Sequence, residues 1–217
     1  MVRLKAPLFS MEASGTIGNA IVFSKWKGRD YARRHTVPAN PRSGLQVGIR
    51  SVFAFVSQNF INLDPLHLSA WQEIAEGQAL TPLNAYIRDA VSRARMNLGW
   101  RADPAGDAGD EAAAPSAVES AAFLRSIRID FTSAAANGTP PADYCCAIHR
   151  VEGATFAEED VDISNLVGVV PTPLPSVAHQ FTDVGLTTGQ AYSYRLYHVA
   201  ADGGLGAQES ELNVQAE

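Results

Sequence analysis

The pattern of apolar and polar residues changes twice along the chain, from strand-like to helical and back to strand-like. Residues 17–36 are rich in β-branched and aromatic side chains, and Lys27-Gly28 in their middle supplies a tight turn. This pattern predicts a β-hairpin. Neither face of it is purely apolar, so we expect it to lie outside the core of its own domain. Pro38 and Pro41 then predict a stiff, extended arm.

From Ser43 onward, apolar residues recur at helical spacing and predict three short amphipathic helices. Ser43, Asp64 and Thr81 are the expected N-caps, the last two followed by proline, and Gly99 is the expected stop of the third helix. These helices are expected to form one small core of their own. The residues expected to point inward are Ile49, Val52, Phe53, Val56, Phe60, Leu68, Trp71, Ile74, Ala75, Leu83, Tyr86, Ile87, Ala90, Val91, Ala94 and Leu98.

After residue 102 the composition indicates a linker and then a series of short strands. Residues 102–120 consist mostly of Ala, Gly, Pro and acidic residues, which is typical of a linker. Strand patterns separated by turn residues follow and predict an antiparallel β-sandwich. The expected strands lie within residues 124–131, 143–151, 163–170, 177–185, 191–200 and 209–215. The predicted fold class is therefore α+β with two domains, a basic hairpin, arm and helical anchoring domain at 1–101 and a sandwich at 121–217.

The charge of the chain divides in the same way. The net charge of −6 combines 13 Lys/Arg against 6 Asp/Glu in residues 1–102 with 4 against 17 in residues 103–217. A chain with one basic and one acidic half suits head-to-tail packing against copies of itself, or orientation between partners of opposite charge. Two solvated surfaces would explain the same pattern.

Residue patterns for catalysis, metal or cofactor binding are absent from the sequence. It contains no phosphate-binding loop, dinucleotide fingerprint, zinc-protease helix or nucleophile elbow, so we expect no enzyme activity and no cofactor. The two cysteines are adjacent, and we expect one buried and one partly exposed thiol. The five histidines are widely spaced and expected to be surface or half-buried residues: His35, His67, His149, His179 and His198. The acidic run at 158–162 is expected to be a solvated loop.

The start of the chain does not resemble a signal peptide, because Pro7 interrupts the apolar run and Glu12 follows. No apolar run approaches the roughly 18 residues that are needed to span a bilayer. Synthesis in the cytoplasm and no membrane partner are therefore expected.

Residues 181–210 resemble the last strands of a fibronectin type III domain. Leu186, Gly189 and Tyr192 stand at the positions of that family's tyrosine corner, although Thr188 replaces the proline that usually precedes the glycine. The resemblance extends over most of residues 121–217, although the tryptophan usual in an early strand is missing. It implies a sandwich whose corner tyrosine returns its hydroxyl to the backbone.

Residues 14–51 resemble a segment of small structural proteins of tailed bacteriophages. The shared features are a Ser-Gly-x-x-Gly-Asn opening at Ser14, the basic hairpin, the Asn40-Pro41-Arg42 turn, and Gln46 and Arg50 in the following helix. The run from Leu68 to Arg95, with Trp71 and Asn84, is also similar to that group. This resemblance implies a virion component that assembles in many copies with itself and with other virion proteins.

Three functions follow from these patterns. The leading hypothesis is a non-enzymatic phage structural protein of head, neck or tail, which docks through its basic hairpin. Because interface anchors are preferentially aromatic or arginine, the expected interface residues are Trp26, Arg29, Tyr31, Arg33, Arg34 and Arg42. The first alternative is a nucleic-acid-binding module that uses the same hairpin, against which the acidic half argues. The second is a carbohydrate-adhesion module with Tyr144, Tyr194 and Tyr197 as a sugar platform.

Overall fold

The chain folds into two compact units, Met1–Pro41 and Arg42–Glu217, which we call the N-terminal unit and the body. Their structure is given by a computed structural model. It describes residues 2–3, 14–37, 39–40, 42–104, 114–133, 143–153, 155–157, 160–172, 174, 176–206 and 212–217.

The N-terminal unit is a four-stranded antiparallel sheet. Its strands are β1 (Val2–Arg3), β2 (Gly15–Ile17), β3 (Ile21–Trp26) and β4 (Arg29–Arg34), in the order β1-β4-β3-β2. The predicted hairpin is confirmed as β3 and β4, and two short edge strands that the sequence analysis did not predict extend it on both sides. Lys27 and Gly28 both have positive φ, 48° and 74°, as a two-residue turn that follows the strand twist requires.

The body begins with the three predicted helices, which are confirmed. They are α1 (Gly44–Asn59), α2 (Pro65–Ala75) and α3 (Pro82–Arg95), with a 3-10 turn at Phe60–Asn62. The Asp64 carboxylate accepts a hydrogen bond from the Leu66 N–H at 2.9 Å, and the Thr81 hydroxyl accepts one from the Asn84 N–H at 3.2 Å. Ser43 occupies the N-cap position of α1 without such a side-chain bond.

Three details of the helices differ from the prediction. Leu98, expected to point inward, is 47% exposed. Phe53 is 50% exposed, while Phe55 is only 5% exposed and packs in the core. The buried face of α1 differs from the predicted one because this helix also packs on the strand Leu166–Pro171 of a β-sheet. The prediction assumed a core formed by helices alone. The end of α3 is formed by Asn97 with φ 57°, and the Leu98 N–H returns to the Arg93 carbonyl oxygen at 3.0 Å, so Gly99 is not the stop.

The remainder of the body is a β-sandwich. Its strands are β5 (Ser116–Phe123), β6 (Ser126–Thr132), β7 (Asp143–Glu152), β8 (Leu166–Pro171), β9 (Ala178–Val184), β10 (Ala191–Ala200) and β11 (Leu212–Gln215). They form a three-stranded sheet β5-β6-β9 and a four-stranded sheet β11-β10-β7-β8, all antiparallel. This strand order is that of a fibronectin type III domain, and the α+β fold class is confirmed.

The four-stranded sheet lies between the three-stranded sheet and the helices. Side chains of adjacent strand residues point to opposite faces, so Cys145 packs in the core shared with the helices and Cys146 in the core between the two sheets. Ala147 and Ile148 divide in the same way. The body is therefore built in three layers, with two hydrophobic cores that share one sheet.

This layering differs from the predicted division at residues 102–120. The three helices have no separate core, because their buried face also contacts Cys145, Ala147, Leu166 and Val199 of the sandwich. The division between compact units falls at Pro41 and Arg42 instead. The signal for this arrangement was present in β7 and β10, whose consecutive apolar residues are typical of strands buried on both faces.

The predicted linker is also partly structured. The Ala102 N–H donates to the Ala201 carbonyl oxygen at 2.7 Å, and the Trp71 indole N–H donates to the Ala102 carbonyl oxygen at 2.7 Å. Strand β5 begins at Ser116, inside the predicted linker. Its side chains are mostly Ala and Ser, and a composition of small residues does not by itself indicate a strand. Residues 105–113 lie outside the described part of the chain.

Two glycines let α1 approach the loop before β8. A Cβ atom added at Gly44 or Gly48 would overlap the backbone carbonyl oxygen of Ser164 or Ile163. The helix therefore lies against this loop by backbone contact, and neither position has room for a side chain.

Replacing Gly48 with alanine tests this contact. Alanine in the interior of an exposed helix stabilises it by about 1 kcal/mol relative to glycine. At Gly48 we expect the opposite sign, a loss of about 1–3 kcal/mol in the free energy of unfolding, because the helix must move away from Ile163. Urea unfolding of the full chain measures the sign, and an increase in stability would show that the close approach does not exist.

Candidate functional site

The register of the hairpin places the predicted interface residues on two different faces of the N-terminal sheet. Residues opposite each other in β3 and β4 share a face. The pairs Val22 with Arg33, Ser24 with Tyr31 and Trp26 with Arg29 form one face, which we call the Trp26 face. The pairs Ile21 with Arg34, Phe23 with Ala32 and Lys25 with Asp30 form the other, which we call the Ile21 face. Four of the predicted residues are thus brought together and Arg34 is separated from them.

The Trp26 face is open to solvent. Trp26 is 62% exposed, and the Lys27 Nζ atom lies 5.0 Å from the centre of its ring. Arg29 and Arg33 are exposed, and Tyr31 is half-buried between them. The face therefore combines two aromatic rings with two guanidinium groups, and the structure gives neither guanidinium a carboxylate partner among the residues of this face that it describes.

The Ile21 face is more apolar but is equally uncovered. Ile17 and Ile21 are 49% and 44% exposed. None of the described residues between Ser14 and Asn40 is buried. A sheet of this size without a buried face has little independent stability in water. Within the residues described, the N-terminal unit lacks a hydrophobic core of its own.

Arg42 belongs to the body, whereas the other five predicted residues belong to the N-terminal unit. It is exposed and lines a cleft of about 350 Å³ together with Arg150, Glu152 and the first turn of α1. The Arg150 guanidinium is already engaged inside the sandwich, since its Nη1 atom donates to the Asp183 carboxylate at 2.7 Å.

The residues of the predicted tyrosine corner lie together at one end of the sandwich. The Thr187 N–H donates to the Tyr192 hydroxyl at 3.0 Å, and Leu186 and Tyr192 are both buried. Gly189 has φ 80°, a left-handed conformation that favours glycine, and its N–H donates to the Ala216 carbonyl oxygen at 2.8 Å. The corner fixes the connection between β9 and β10.

A buried polar cluster beside the corner was missed by the sequence analysis. The Asp183 carboxylate accepts hydrogen bonds from Arg150 at 2.7 Å and from the Tyr194 hydroxyl at 2.9 Å, and so joins the two sheets. Burial and the neighbouring Asp183 carboxylate raise the pKa of Tyr194. The sequence did contain a signal for this cluster. Arg150 and Asp183 each lie two positions after a core-facing residue of the same strand, Ile148 and Phe181, and so share its face.

Several expectations about other polar residues are wrong. His149 and His198 are buried rather than surface or half-buried, and both cysteines are fully buried rather than one. They are covered because both faces of the middle sheet are packed. Tyr194 and Tyr197 are buried too, so they cannot present rings to a sugar, and the side chain of Tyr144 lies outside the described part. Glu158 and Glu159 of the acidic run also lie outside it.

The described residues offer no candidate for two other kinds of site. Across the described residues, no three His, Cys, Asp or Glu side chains are grouped so that they could hold a metal ion. In the same part of the chain, no helix is both long and apolar enough to cross a membrane.

Neither the protein-family models nor the curated proteins contain a match to the chain. Among solved structures it is similar to the FN1–FN3 domains of chicken CNTN1, with TM-score 0.35 and 8% identity over 48% of this chain and 32% of that one. It is also similar to the FN5 domain of Drosophila Lar, with TM-score 0.30 and 18% identity over 48% of this chain and 96% of that one.

A third similar structure is the twitchin kinase region from C. elegans, with TM-score 0.38 and 13% identity over 49% of this chain. The chain spans 17% of the twitchin chain. At such low TM-scores these similarities carry no argument about function, and the fold assignment rests on the strand order and the corner geometry.

The corner is tested by replacing Tyr192 with phenylalanine. The change removes the hydroxyl that accepts from Thr187 while keeping the buried ring, so we expect a loss of about 1 kcal/mol in the free energy of unfolding. Tyr31→Phe, in the N-terminal unit, is the matched control and should leave the unfolding of the body unchanged. Equal stability of Tyr192→Phe and the unmodified chain would show that the corner bond contributes nothing.

Buried His149 makes stability depend on pH. Burial lowers the pKa of His149 from its ordinary value of 6.5 to about 4, although Asp162 opposes the shift. Between these two values the unfolded chain binds a proton that the folded chain does not, so stability falls as the pH falls. This contribution is about 2 kcal/mol between pH 7 and pH 5.

Urea unfolding at pH 7, 6 and 5 measures this effect, with His149→Gln as the comparison. The variant should lose less stability than the unmodified chain over this range, whatever its stability at pH 7. The same decrease in both proteins would mean that His149 does not carry the pH dependence.

Proposed function

We propose that the chain is a non-enzymatic structural subunit of a phage particle, present in many copies in the head, neck or tail. The N-terminal unit docks on a neighbouring subunit, and the acidic body with its fibronectin-like sandwich is displayed. In this account the protein is made in the host cytoplasm and resides in the virion. Its partners are copies of itself and other virion proteins.

The observation that carries this proposal is the uncovered N-terminal sheet. None of its described residues between Ser14 and Asn40 is buried, and exposed apolar side chains occur on both faces, with Ile21 on one and Trp26 on the other. A sheet becomes stable when a second layer covers at least one face. A neighbouring subunit that supplies this layer would make assembly and folding of the sheet parts of the same step.

Composition and resemblance support the same reading. Residues 1–41 contain seven Lys/Arg against two Asp/Glu, and the expected anchors are tryptophan, tyrosine and arginine, the residue types enriched at protein interfaces. The resemblance of residues 14–51 to small phage structural proteins points to a virion as the setting.

Nucleic-acid binding is the second candidate, because exposed Trp26 beside Arg29 and Arg33 could also stack on bases and contact phosphates. The body, with ten Lys/Arg against 21 Asp/Glu in residues 42–217, would repel a polyanion. The carbohydrate reading has lost its support, since Tyr194 and Tyr197 are buried.

The test is the double variant Arg33→Glu with Arg34→Glu. It reverses charge on both faces of the N-terminal sheet and changes no residue of the body, so the body should unfold at the same urea concentration as before. We expect purified particles to lose at least about nine-tenths of their content of this protein, measured by quantitative mass spectrometry, because interface arginines carry a large share of binding energy. Normal content of the double variant would contradict the proposal.

A further inference from the structure

We propose that the Trp26 face is the docking face of the N-terminal sheet, and that its partner is the acidic body of a second copy of this chain. The Ile21 face is not the surface that recognises the second copy. This inference rests on the proposed function and specifies the face and the partner.

The register gives the two faces different charge. On the Trp26 face, Arg29 pairs across the strands with Trp26, and Arg33 pairs with Val22. Both arginines are exposed, and the described part of this face contains no acidic residue in β3 or β4. On the Ile21 face, Lys25 is directly opposite Asp30, so one of its two positive charges is offset. Uncompensated charge is therefore concentrated on the Trp26 face.

The same face carries the types of side chain that recognise carboxylates on a protein surface. Tyr31 lies in the middle of the face, with an arginine two residues away on each side along β4. Guanidinium groups bind carboxylates in a planar, two-bond geometry, and flanking aromatic rings exclude water from such contacts. Trp26, at 62% exposure, is the largest apolar surface available for burial there.

A second copy of the chain supplies the matching charge. Residues 42–217 contain 21 Asp/Glu against ten Lys/Arg, while residues 1–41 contain two against seven. Opposite charge favours contact between the N-terminal unit of one copy and the body of another, and like charge disfavours pairing of two N-terminal units. A contact between two different surfaces repeats from copy to copy and builds rings or filaments, as a multi-copy structural protein requires.

Arg33 and Arg34 provide a matched pair for the test. They are adjacent in β4, both are exposed, and they lie on opposite faces, so Arg33→Glu and Arg34→Glu make the same charge change on different faces. Self-association of the full chain is measured by sedimentation velocity over a concentration series at low and high salt. We expect the unmodified chain to associate at low salt and to dissociate as salt is raised, because the contact depends on charge.

Arg33→Glu should weaken self-association by about tenfold or more, and Arg34→Glu by less than about threefold. Trp26→Ala, which removes an anchor of the same face without changing charge, should weaken it by a similar factor to Arg33→Glu. Trp26→Ala keeps the test decisive if the charge reversal at Arg33 disturbs the sheet itself.

Three results would overturn the inference. Equal weakening by Arg33→Glu and Arg34→Glu would show that the two faces are not distinguished. A monomeric mass at every concentration and salt would exclude the second copy as partner. Salt-sensitive co-migration with mixed DNA fragments, lost equally in both variants, would assign the sheet to nucleic acid. Suppose that the two single variants weaken self-association equally, while the double variant is still lost from purified particles. The proposed function then stands and only this inference fails.

Discussion

The fold of the body depends on the burial of one β-sheet on both of its faces. Strands β7, β8 and β10 contribute alternate side chains to two cores, so the same backbone supports the sandwich and holds the three helices. Covering the second face with helices buries Cys145, His149 and Val199, which would face solvent in a two-layer sandwich. Because apolar burial is the dominant stabilising term, the helices and the sandwich are expected to form one cooperative unit.

The N-terminal sheet has no such double burial, because none of its described residues between Ser14 and Asn40 is buried. The helices of the body pack against its own sandwich, and α1 lies against the loop before β8 at Gly44 and Gly48. Helices that pack in this way are poor candidates for a separate anchoring domain. The proposed docking role is therefore concentrated in the N-terminal sheet, where Trp26 and the arginines remain exposed.

Local signals in the sequence predict the elements well but not how they are combined. Asp64-Pro65 and Thr81-Pro82 mark the helix starts because capping depends on a few neighbouring residues. The shared core could not be derived in the same way, since it depends on long-range packing of Ala147 and Val199 against helices. Hairpin alternation separates Arg33 from Arg34, but only the register shows which partners share each face. The Arg150–Asp183 pair was missed because its two residues lie 33 positions apart.

Hydrogen exchange of the full chain under mildly denaturing conditions tests the shared core most directly. If the helices and the sandwich are one cooperative unit, the slowly exchanging amides of α1 and α3 should exchange through the same opening reaction as those of β7 and β10. The free energy of opening and its dependence on denaturant should then be equal for both sets of amides. If the helices instead exchange at distinctly lower free energy while β7 and β10 stay protected, the sandwich is stable without its helical layer. The central claim would then be wrong.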